Sequence, residues 1–182
     1  MPVDYTIRTS RCRLRCPQAD DAERLLSAFT SPNFPKDLPL GRLSTIEQVH
    51  RWTKGCRSRW ESGSGYTWTA EKQEDSLIVG QVTVIQMADK ISWALAFWTH
   101  PDVWGQGYAT EMVVAAVDFS FEMLGAERIW AGASHWNMAS RRVLVKIGMT
   151  YVGDNPEGYE VDNQPVPVQE YELQRTKWLA IE

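Results

Sequence analysis

Residues 104–111, Trp-Gly-Gln-Gly-Tyr-Ala-Thr-Glu, have the types and spacing that could bind a phosphate group. They follow an apolar run at 91–98 and precede apolar residues spaced three and four apart, which predicts a strand, a glycine turn and a helix. Glycines let a backbone turn tightly and approach a ligand, and the first N–H groups of a helix have no partner within it. Such a turn can hold phosphate. An ordinary strand-to-helix turn would use the same glycines for geometry alone.

A second helix start lies downstream, where Asn137 is followed three positions later by Ser140. Asparagine is a preferred first residue because its side chain accepts a hydrogen bond from the first helical turn. Apolar residues then follow at helical spacing until Gly148, which ends the helix. Residues 128–133 before it read as a strand. The sequence therefore predicts two strand–helix units in succession.

This order resembles motifs A and B of the GNAT acetyltransferase superfamily, and within it the Rim-type branch that acetylates the N-termini of ribosomal proteins. The matching residues are 100–111, His-Pro-Asp-Val-Trp-Gly-Gln-Gly-Tyr-Ala-Thr-Glu, and 137–149, Asn-Met-Ala-Ser-Arg-Arg-Val-Leu-Val-Lys-Ile-Gly-Met. Residues 13–15, Arg-Leu-Arg, followed by 20–22, Asp-Asp-Ala, fit as well, as do 170–173, Glu-Tyr-Glu-Leu. The resemblance covers nearly the whole chain.

The resemblance implies an α+β fold, with a mixed, strongly bent sheet of about six to seven strands and about four helices. Its two central strands, here 91–99 and 128–134, would splay apart. The pantetheine arm of acetyl-CoA would pair with the backbone groups that the splay leaves free. We expect one N-acetyltransferase domain over residues 1–182.

The same resemblance implies which residues hold the donor. Backbone amides of 105–110 would bind the pyrophosphate, and a backbone N–H near Trp98 or Thr99 would stabilise the oxyanion that forms from the acetyl carbonyl. Trp104 stands where the wider superfamily has Gln or Arg, but a non-basic residue is usual in the Rim-like branch. The residues expected to contact acetyl-CoA are Phe97, Trp98, Thr99, Trp104, Gly105, Gln106, Gly107, Tyr108, Ala109, Thr110, Asn137 and Ser140.

The departing thiolate of CoA needs a proton, since a free thiol has a pKa of about 8.5. Many superfamily members place a tyrosine shortly after the Asn, but residues 141–144 are Arg-Arg-Val-Leu. The Rim-type branch uses the serine of Asn-x-x-Ser, which is Ser140 here. Two structural alternatives stay open: Ser140 could bond locally within the helix, and Asn137 could be an N-cap alone.

The general base is the weakest part of the match. Relatives often carry a Glu in the strand before the glycine turn, and Ala94 stands in its place. His135, just before Asn137, is the nearest titratable alternative, although a lone histidine also suits a structural role. An N-terminal α-amine has a pKa of about 7.7–8.0, so a weak base or a water relay would suffice.

The resemblance implies an acetyl-CoA-dependent N-acetyltransferase acting on a primary amine, most simply the N-terminal amine of a protein or peptide. Acetylation of a small amine (an amino acid, polyamine or aminoglycoside) stays open, as does a non-catalytic acyl-CoA-binding module. Trp98 and Trp136 are placed to line the acceptor cleft. Residues 34–43, with the helix after them, lie where the fold builds its acceptor pocket, without naming the acceptor. A homodimer is compatible with the family analogy.

Composition agrees with a globular enzyme of 182 residues, 43% hydrophobic and 23% charged. A net charge of −4 argues against nucleic acid as a partner. No run approaches the ~18 apolar residues of a membrane span, and residues 1–5 lack the features of a signal peptide. Cys12 and Cys16 would lie about 13 Å apart on one strand, too far for a disulfide. With Cys56 they indicate a cytoplasmic protein with reduced cysteines, and no metal-ligand spacing occurs.

The remaining elements follow from hydrophobic periodicity and turn residues. Helices are predicted at 20–29 and from a capping box at 44–47 to about residue 60. A meander of three strands is predicted at 66–71, 77–86 and 90–99. Further strands are predicted at 6–16 and 168–179, with a proline-containing loop at 156–167.

Overall fold

The computed structural model describes residues 4–180 of the chain. In this range, eight strands form one open mixed sheet with five α-helices and three short 3₁₀ helices. The strands are β1 (Ile7–Arg8), β2 (Cys12–Arg15), β3 (Gly65–Lys72), β4 (Ile78–Gln86), β5 (Ser92–Thr99), β6 (Arg128–Ser134), β7 (Thr150–Val161) and β8 (Gln164–Gln174). The helices are α1 (Ala22–Thr30), α2 (Ile46–Ser62), α3 (Tyr108–Glu122), α4 (Met138–Lys146) and α5 (Arg175–Trp178).

The α+β class and the mixed sheet are confirmed, with more strands than the expected six to seven and one more helix than the expected four. The strand order is β1-β2-β3-β4-β5-β6-β8-β7. The described residues up to Thr83 form one compact unit with Phe97–Met112, and Val84–Ala96 form a second with those from Val113 onwards. Residues 1–3, on which the expectation of no signal peptide partly depends, lie outside the described range.

The first unit begins with a hairpin where one strand, residues 6–16, was expected. β1 pairs antiparallel with β2, and β2 pairs antiparallel with β3. Between β1 and β2 the chain turns around the carboxylate of Glu111, which accepts hydrogen bonds from Thr9 Oγ1 at 2.6 Å and from Arg11 N at 2.8 Å. The turn depends on a residue about 100 positions away, so it leaves no local signal in the sequence. The alternating pattern of residues 6–16 therefore predicts one continuous strand.

Helices α1 and α2 contribute to the core of the first unit. Buried residues of both helices pack with Phe34, Ile78 and Trp98 in one apolar cluster. The capping box at the start of α2 lies one residue later than predicted: Thr45 is the N-cap and Gln48 is its partner. Both hydroxyl residues at this point can cap a helix, so sequence alone places the start only to within a residue.

In the second unit, the two central strands, β5 and β6, separate as expected. β5 runs parallel to β6 from the pair Ser92–Arg128 to the pair Ala94–Trp130, where the register ends within residues 4–180. β6 continues beyond Trp130 to Ser134 and stays paired along its whole length with β8 on its other side. The last four residues of β6 therefore lack a registered neighbour on the β5 side.

The expected loop at 156–167 is wrong, because β7 and β8 form a long hairpin there. Its turn is Asp162–Asn163, both with positive φ (52° and 60°), a conformation that Asp and Asn tolerate. Pro156 lies on the edge strand β7, where a missing N–H costs no ladder bond to a further strand. The prolines at 165 and 167 precede Val168, the first β8 residue that pairs with β6. The predicted last strand, 168–179, ends at Gln174 and continues as α5.

Candidate functional site

The glycine turn connects a 3₁₀ helix, Pro101–Val103, to α3. Gly105 has φ 75° and Gly107 has φ 85°, both in the left-handed region that favours glycine. Among the described residues, a Cβ at Gly105 would meet nothing within 4 Å beyond its chain neighbours, and one at Gly107 would lie 3.5 Å from Nη2 of Arg11. Backbone conformation therefore requires these glycines, and the space beside them is open. The predicted strand, turn and helix are all present.

The N–H groups at the start of α3 are available to a ligand. The Gln106 N–H donates to the Val103 carbonyl over 3.4 Å, and the Glu111 N–H donates to the Gly107 carbonyl over 3.1 Å. Five other backbone N–H groups make no hydrogen bond within residues 4–180: those of Gly105, Gly107, Tyr108, Ala109 and Thr110. Unpaired donors at the positive end of a 15-residue helix have the geometry and charge that favour an anion.

Arg11 and Glu111 flank this turn in a pairing that the sequence did not predict. Arg11 Nε donates to Glu111 Oε2 over 2.7 Å, and Arg11 Nη1 donates to the carbonyl of Gln106 over 2.9 Å. The guanidinium carbon lies 4.2 Å from the centre of the Tyr108 ring, within cation–π range. Arg11 precedes Glu111 by 100 residues, so no local pattern connects them. The pair fastens the β1–β2 turn to the first turn of α3.

Trp104 is about half exposed, but its indole N–H is used within the protein. It donates to the carbonyl of Thr99 over 3.0 Å and so connects the glycine turn to the end of β5. Phe97 and Thr99, the other donor-contact candidates on this strand, are partly exposed. The side chain that replaces the superfamily's Gln or Arg thus has a structural role at the turn.

The two tryptophans predicted to line an acceptor cleft have different surroundings. Trp98 is only 7% exposed and packs edge-on against Phe29 and Phe34 in the core of the first unit. Its indole N–H donates to Gln81 Oε1 over 3.2 Å. Trp136 is 46% exposed. A contact from Trp98 to a ligand would therefore involve its backbone, whereas Trp136 offers its ring.

In the second unit, Asn137 caps α4 as expected, and its Oδ1 accepts a hydrogen bond from the Ser140 N–H at 3.1 Å. Ser140 is partly exposed, and its hydroxyl makes no hydrogen bond to any part of the chain described here. Arg141 fixes the segment that leads into α4, because its Nη1 donates to the carbonyl of His135 over 3.2 Å. The cap uses the amide of Ser140 and leaves its hydroxyl free to act on a ligand.

His135 has a carboxylate partner that the sequence did not reveal. Its Nε2 lies 3.6 Å from Oδ1 of Asp154, an ion pair when the imidazole is protonated, and both side chains are more than half exposed. Asp154 belongs to β7, within the hairpin that the sequence pattern did not predict. Ala94, at the position where relatives have Glu, pairs with Trp130 at the end of the β5–β6 register. His135, with Asp154 beside it, therefore remains the candidate for proton abstraction.

The described residues contain no group of three or more His, Cys, Asp or Glu side chains placed to hold a metal ion. Cys12, Cys16 and Cys56 are free thiols. Burial raises the pKa of Cys12 to about 11, so this thiol is unreactive at neutral pH. None of the helices between residues 4 and 180 has the length and apolar character needed to span a bilayer.

A bulky side chain at Gly107 is expected to disrupt phosphate binding at the turn. Gly107→Val should weaken CoA binding at least tenfold, about 1.4 kcal/mol, because valine disfavours a φ of 85° and obstructs close approach. Gly125→Val is the matched control, since Gly125 also has positive φ (65°) and open space but lies after α3. Titration calorimetry with folded variants tests this. Unchanged CoA affinity in Gly107→Val would remove the phosphate assignment.

Comparison with known proteins identifies a family from the sequence and shared folds among solved structures. Residues 11–150 match the family model of the acetyltransferase (GNAT) domain. The chain is 26% identical over 148 residues to the uncharacterized N-acetyltransferase YoaA of Bacillus subtilis (strain 168), covering 81% of this chain and 84% of YoaA. A candidate ribosomal-protein-serine acetyltransferase from Vibrio cholerae superimposes with a TM-score of 0.86 at 21% identity, covering 96% and 99% of the two chains. RimJ of Mycobacterium smegmatis, in complex with CoA-disulfide, gives 0.80 at 18%, covering 99% and 95%.

The two structural neighbours share the fold of this chain at identities too low to transfer more than the fold. The family match establishes membership of the family, because it spans well over half of the chain. It includes the glycine turn at 104–111 and the Asn-x-x-Ser start of α4. The predicted superfamily and the enzyme class, an N-acetyltransferase, are both confirmed: the chain belongs to the GNAT acetyltransferase family.

Proposed function

We propose that this enzyme transfers an acetyl group from acetyl-CoA to the N-terminal amine of a protein or peptide. The observation that carries the proposal is the set of five backbone N–H groups at the glycine turn that have no partner among the described residues. Their number and their position at a helix N-terminus suit a pyrophosphate, which CoA carries. In this account the amides at 105–110 hold the donor, and Phe97, Thr99 and the backbone of Trp98 contact its acyl arm.

Ser140 supplies the proton that the departing thiolate of CoA takes up. The nitrogen of the acceptor amine attacks the acetyl carbonyl, the C–S bond breaks, and the thiolate accepts the hydroxyl proton of Ser140. The supporting contact is the hydrogen bond from the Ser140 amide to Asn137, which fixes the residue while leaving its hydroxyl unpaired within residues 4–180. The proton that the amine loses can then restore the serine through solvent.

Two observations support a protein or peptide acceptor. The motifs at 100–111 and 137–149 resemble those of the Rim-type branch, and the neighbours in fold include a candidate ribosomal-protein-serine acetyltransferase and RimJ. The chain also lacks a carboxylate at Ala94, which an α-amine tolerates because its pKa of about 7.7–8.0 leaves part of it neutral near pH 7. A more basic small amine would need stronger assistance in losing its proton.

Release of the CoA thiol with an acceptor panel tests the choice. The panel is a peptide with a free N-terminal serine, the same peptide with a blocked N-terminus, spermidine, and a free amino acid. We expect turnover with the free peptide alone. Turnover confined to a small amine would overturn the acceptor class, and CoA binding without turnover on any of the four would favour the non-catalytic acyl-CoA-binding module.

His135 is proposed to take the amine proton, directly or through water, with Asp154 orienting its ring. If so, the pH profile of kcat/KM should have an acidic limb, because a protonated base cannot accept the amine proton. His135→Ala should abolish that limb, Asp154→Asn should weaken it, and the exposed His50→Ala should leave it unchanged. Profiles with two peptides whose α-amines differ in pKa decide the matter: a limb that moves with the amine eliminates His135.

Three further expectations stay predictions. We propose that residues 1–182 act as one catalytic domain and that the enzyme works in the cytoplasm, where its free cysteines suit a reducing environment. A homodimer is retained as a prediction by family analogy and is measurable by sedimentation. Neither nucleic acid nor a membrane is proposed as a partner.

A further inference from the structure

The Arg11 side chain has donor capacity that its contacts within the protein do not use. Of its five guanidinium N–H groups, one on Nε donates to Glu111 and one on Nη1 donates to Gln106. Nη2 lies 2.7 Å from the same carboxylate oxygen of Glu111. At least one N–H on each terminal nitrogen remains, and the side chain is 44% exposed. Arg11 therefore combines a fixed position with free donors.

The free donors lie beside the unpaired amides of the glycine turn. Nη2 is 3.5 Å from the position that a Cβ on Gly107 would occupy, and Nη1 is bonded to the carbonyl of the preceding residue, Gln106. The guanidinium also covers the ring of Tyr108, the first residue of α3. Backbone and side-chain donors thus converge on one end of the helix, within the first compact unit.

The negative charge of Glu111 explains why a guanidinium beside the glycine turn is useful. Glu111 places a carboxylate in the first turn of α3, where it would repel a bound phosphate. Burial would raise the pKa of Glu111, but hydrogen bonds from Thr9, Ser10 and Arg11 lower it more, so the group is ionised. The ion pair with Arg11 cancels this negative charge close to the turn. Without Arg11, the helix end would present an uncompensated carboxylate to an anion.

We propose that Arg11 is a phosphate-binding residue of the donor site, which grips a phosphate of acetyl-CoA with its free N–H groups while Glu111 holds the guanidinium in place. The inference rests on the proposed location of the pyrophosphate at the glycine turn. A guanidinium suits this role because its planar donors match the geometry of phosphate oxygens. Arg11 thereby supplies the positive side chain that Trp104 does not provide at this turn.

Three variants test the assignment, with Arg13 as the matched control because it is an exposed arginine two positions away on β2. Arg11→Gln should raise the Kd for CoA at least tenfold and reduce the salt dependence of binding, because one screened charge contact is lost. Arg11→Lys should restore part of the affinity, since it keeps the charge without the fork. Arg13→Gln should bind as the wild type does.

A donor without phosphates separates binding from structural damage. S-acetylpantetheine carries the same thioester arm, so its kcat/KM should be unchanged in Arg11→Gln while that of acetyl-CoA falls. An equal loss with both donors would assign Arg11 a purely structural role. If Arg11→Gln does not fold, Arg11→Lys carries the test, and a Kd equal to that of the wild type at low and high salt would overturn the proposal.

The Gly107 variant distinguishes this inference from the proposal on which it rests. If Gly107→Val weakens CoA binding and Arg11→Gln does not, the turn holds the phosphates and only the assignment of Arg11 fails. If neither variant changes CoA affinity, the location of the pyrophosphate itself is wrong. We expect both variants to weaken CoA binding and both to retain turnover of S-acetylpantetheine.

Discussion

Replacing Asp21 with alanine is expected to lower the free energy of unfolding by about 3–5 kcal/mol, because it removes one of the two carboxylates that compensate the buried Arg15 cation. Asp21 is fully buried, and its carboxylate accepts two hydrogen bonds from Arg15 at 2.6 and 2.8 Å and one from Arg24 at 2.8 Å. The Gln18 N–H donates to the same carboxylate over 2.8 Å. Glu71 pairs with both arginines and completes the network.

The neighbouring carboxylate provides the control. Asp20 is exposed, so Asp20→Ala should change the free energy of unfolding by no more than about 0.5 kcal/mol. Urea titration at neutral pH measures both variants, and the thermal midpoint of Asp21→Ala should fall by about 10 °C. Equal effects of the two substitutions would mean that the network does not stabilise the fold.

The pH dependence of stability gives an independent check on Asp21. Burial raises the pKa of this carboxyl, but the hydrogen bonds from Arg15 and the Gln18 amide outweigh burial and hold it below the ordinary value of 3.8. The ionised group therefore contributes stability above pH 3.8 that is lost as the pH falls through the lower folded value. The stability difference between the wild type and Asp21→Asn should be constant above about pH 5 and shrink below pH 3.8.

Removal of the Ser140 hydroxyl should slow the reaction without lowering the stability of the enzyme. Ser140→Ala is expected to lower kcat about 100-fold, the contribution of a positioned proton donor, with little change in the KM for acetyl-CoA. The backbone amide that bonds to Asn137 is retained, so stability should match that of the wild type. Steady-state kinetics with the peptide acceptor and a thermal melt measure the two quantities.

Asn137→Ala is the matched comparison, because it removes the cap and keeps the hydroxyl. It should cost about 1 kcal/mol of stability, the usual value of an N-cap. If Ser140→Ala raised only KM, the serine would be a binding residue, and the proton would reach the thiolate from elsewhere.

The parts of the site that the sequence predicted are those encoded locally. Gly105 and Gly107 stand where the chain needs positive φ, and Asn137 stands where a helix needs a cap, so residue type and spacing alone place them. The same reasoning placed the strand that ends at Thr99 and the helix that follows. Its errors of a residue or so at element ends, as at Thr45, reflect neighbouring residues with equal capping ability.

The parts that the sequence did not predict depend on distant residues. The turn at 9–11 forms around Glu111, and its alternating flanks look like one continuous strand. Three prolines made residues 156–167 resemble a loop, although Pro156 lies on the edge strand β7 and the other two lie on β8 before it pairs with β6. Asp154 was missed for the same reason, since its approach to His135 requires β7.

The most direct test of the proposed function is to locate the transferred acetyl group by mass spectrometry. The wild-type enzyme is incubated with acetyl-CoA and a peptide that has an N-terminal serine and one internal lysine, and the product is fragmented. We expect one acetyl group, on the α-nitrogen of the serine, and at least tenfold less product with Gly107→Val at limiting acetyl-CoA. Acetylation of the lysine alone, or none in an enzyme that binds CoA, would contradict the account.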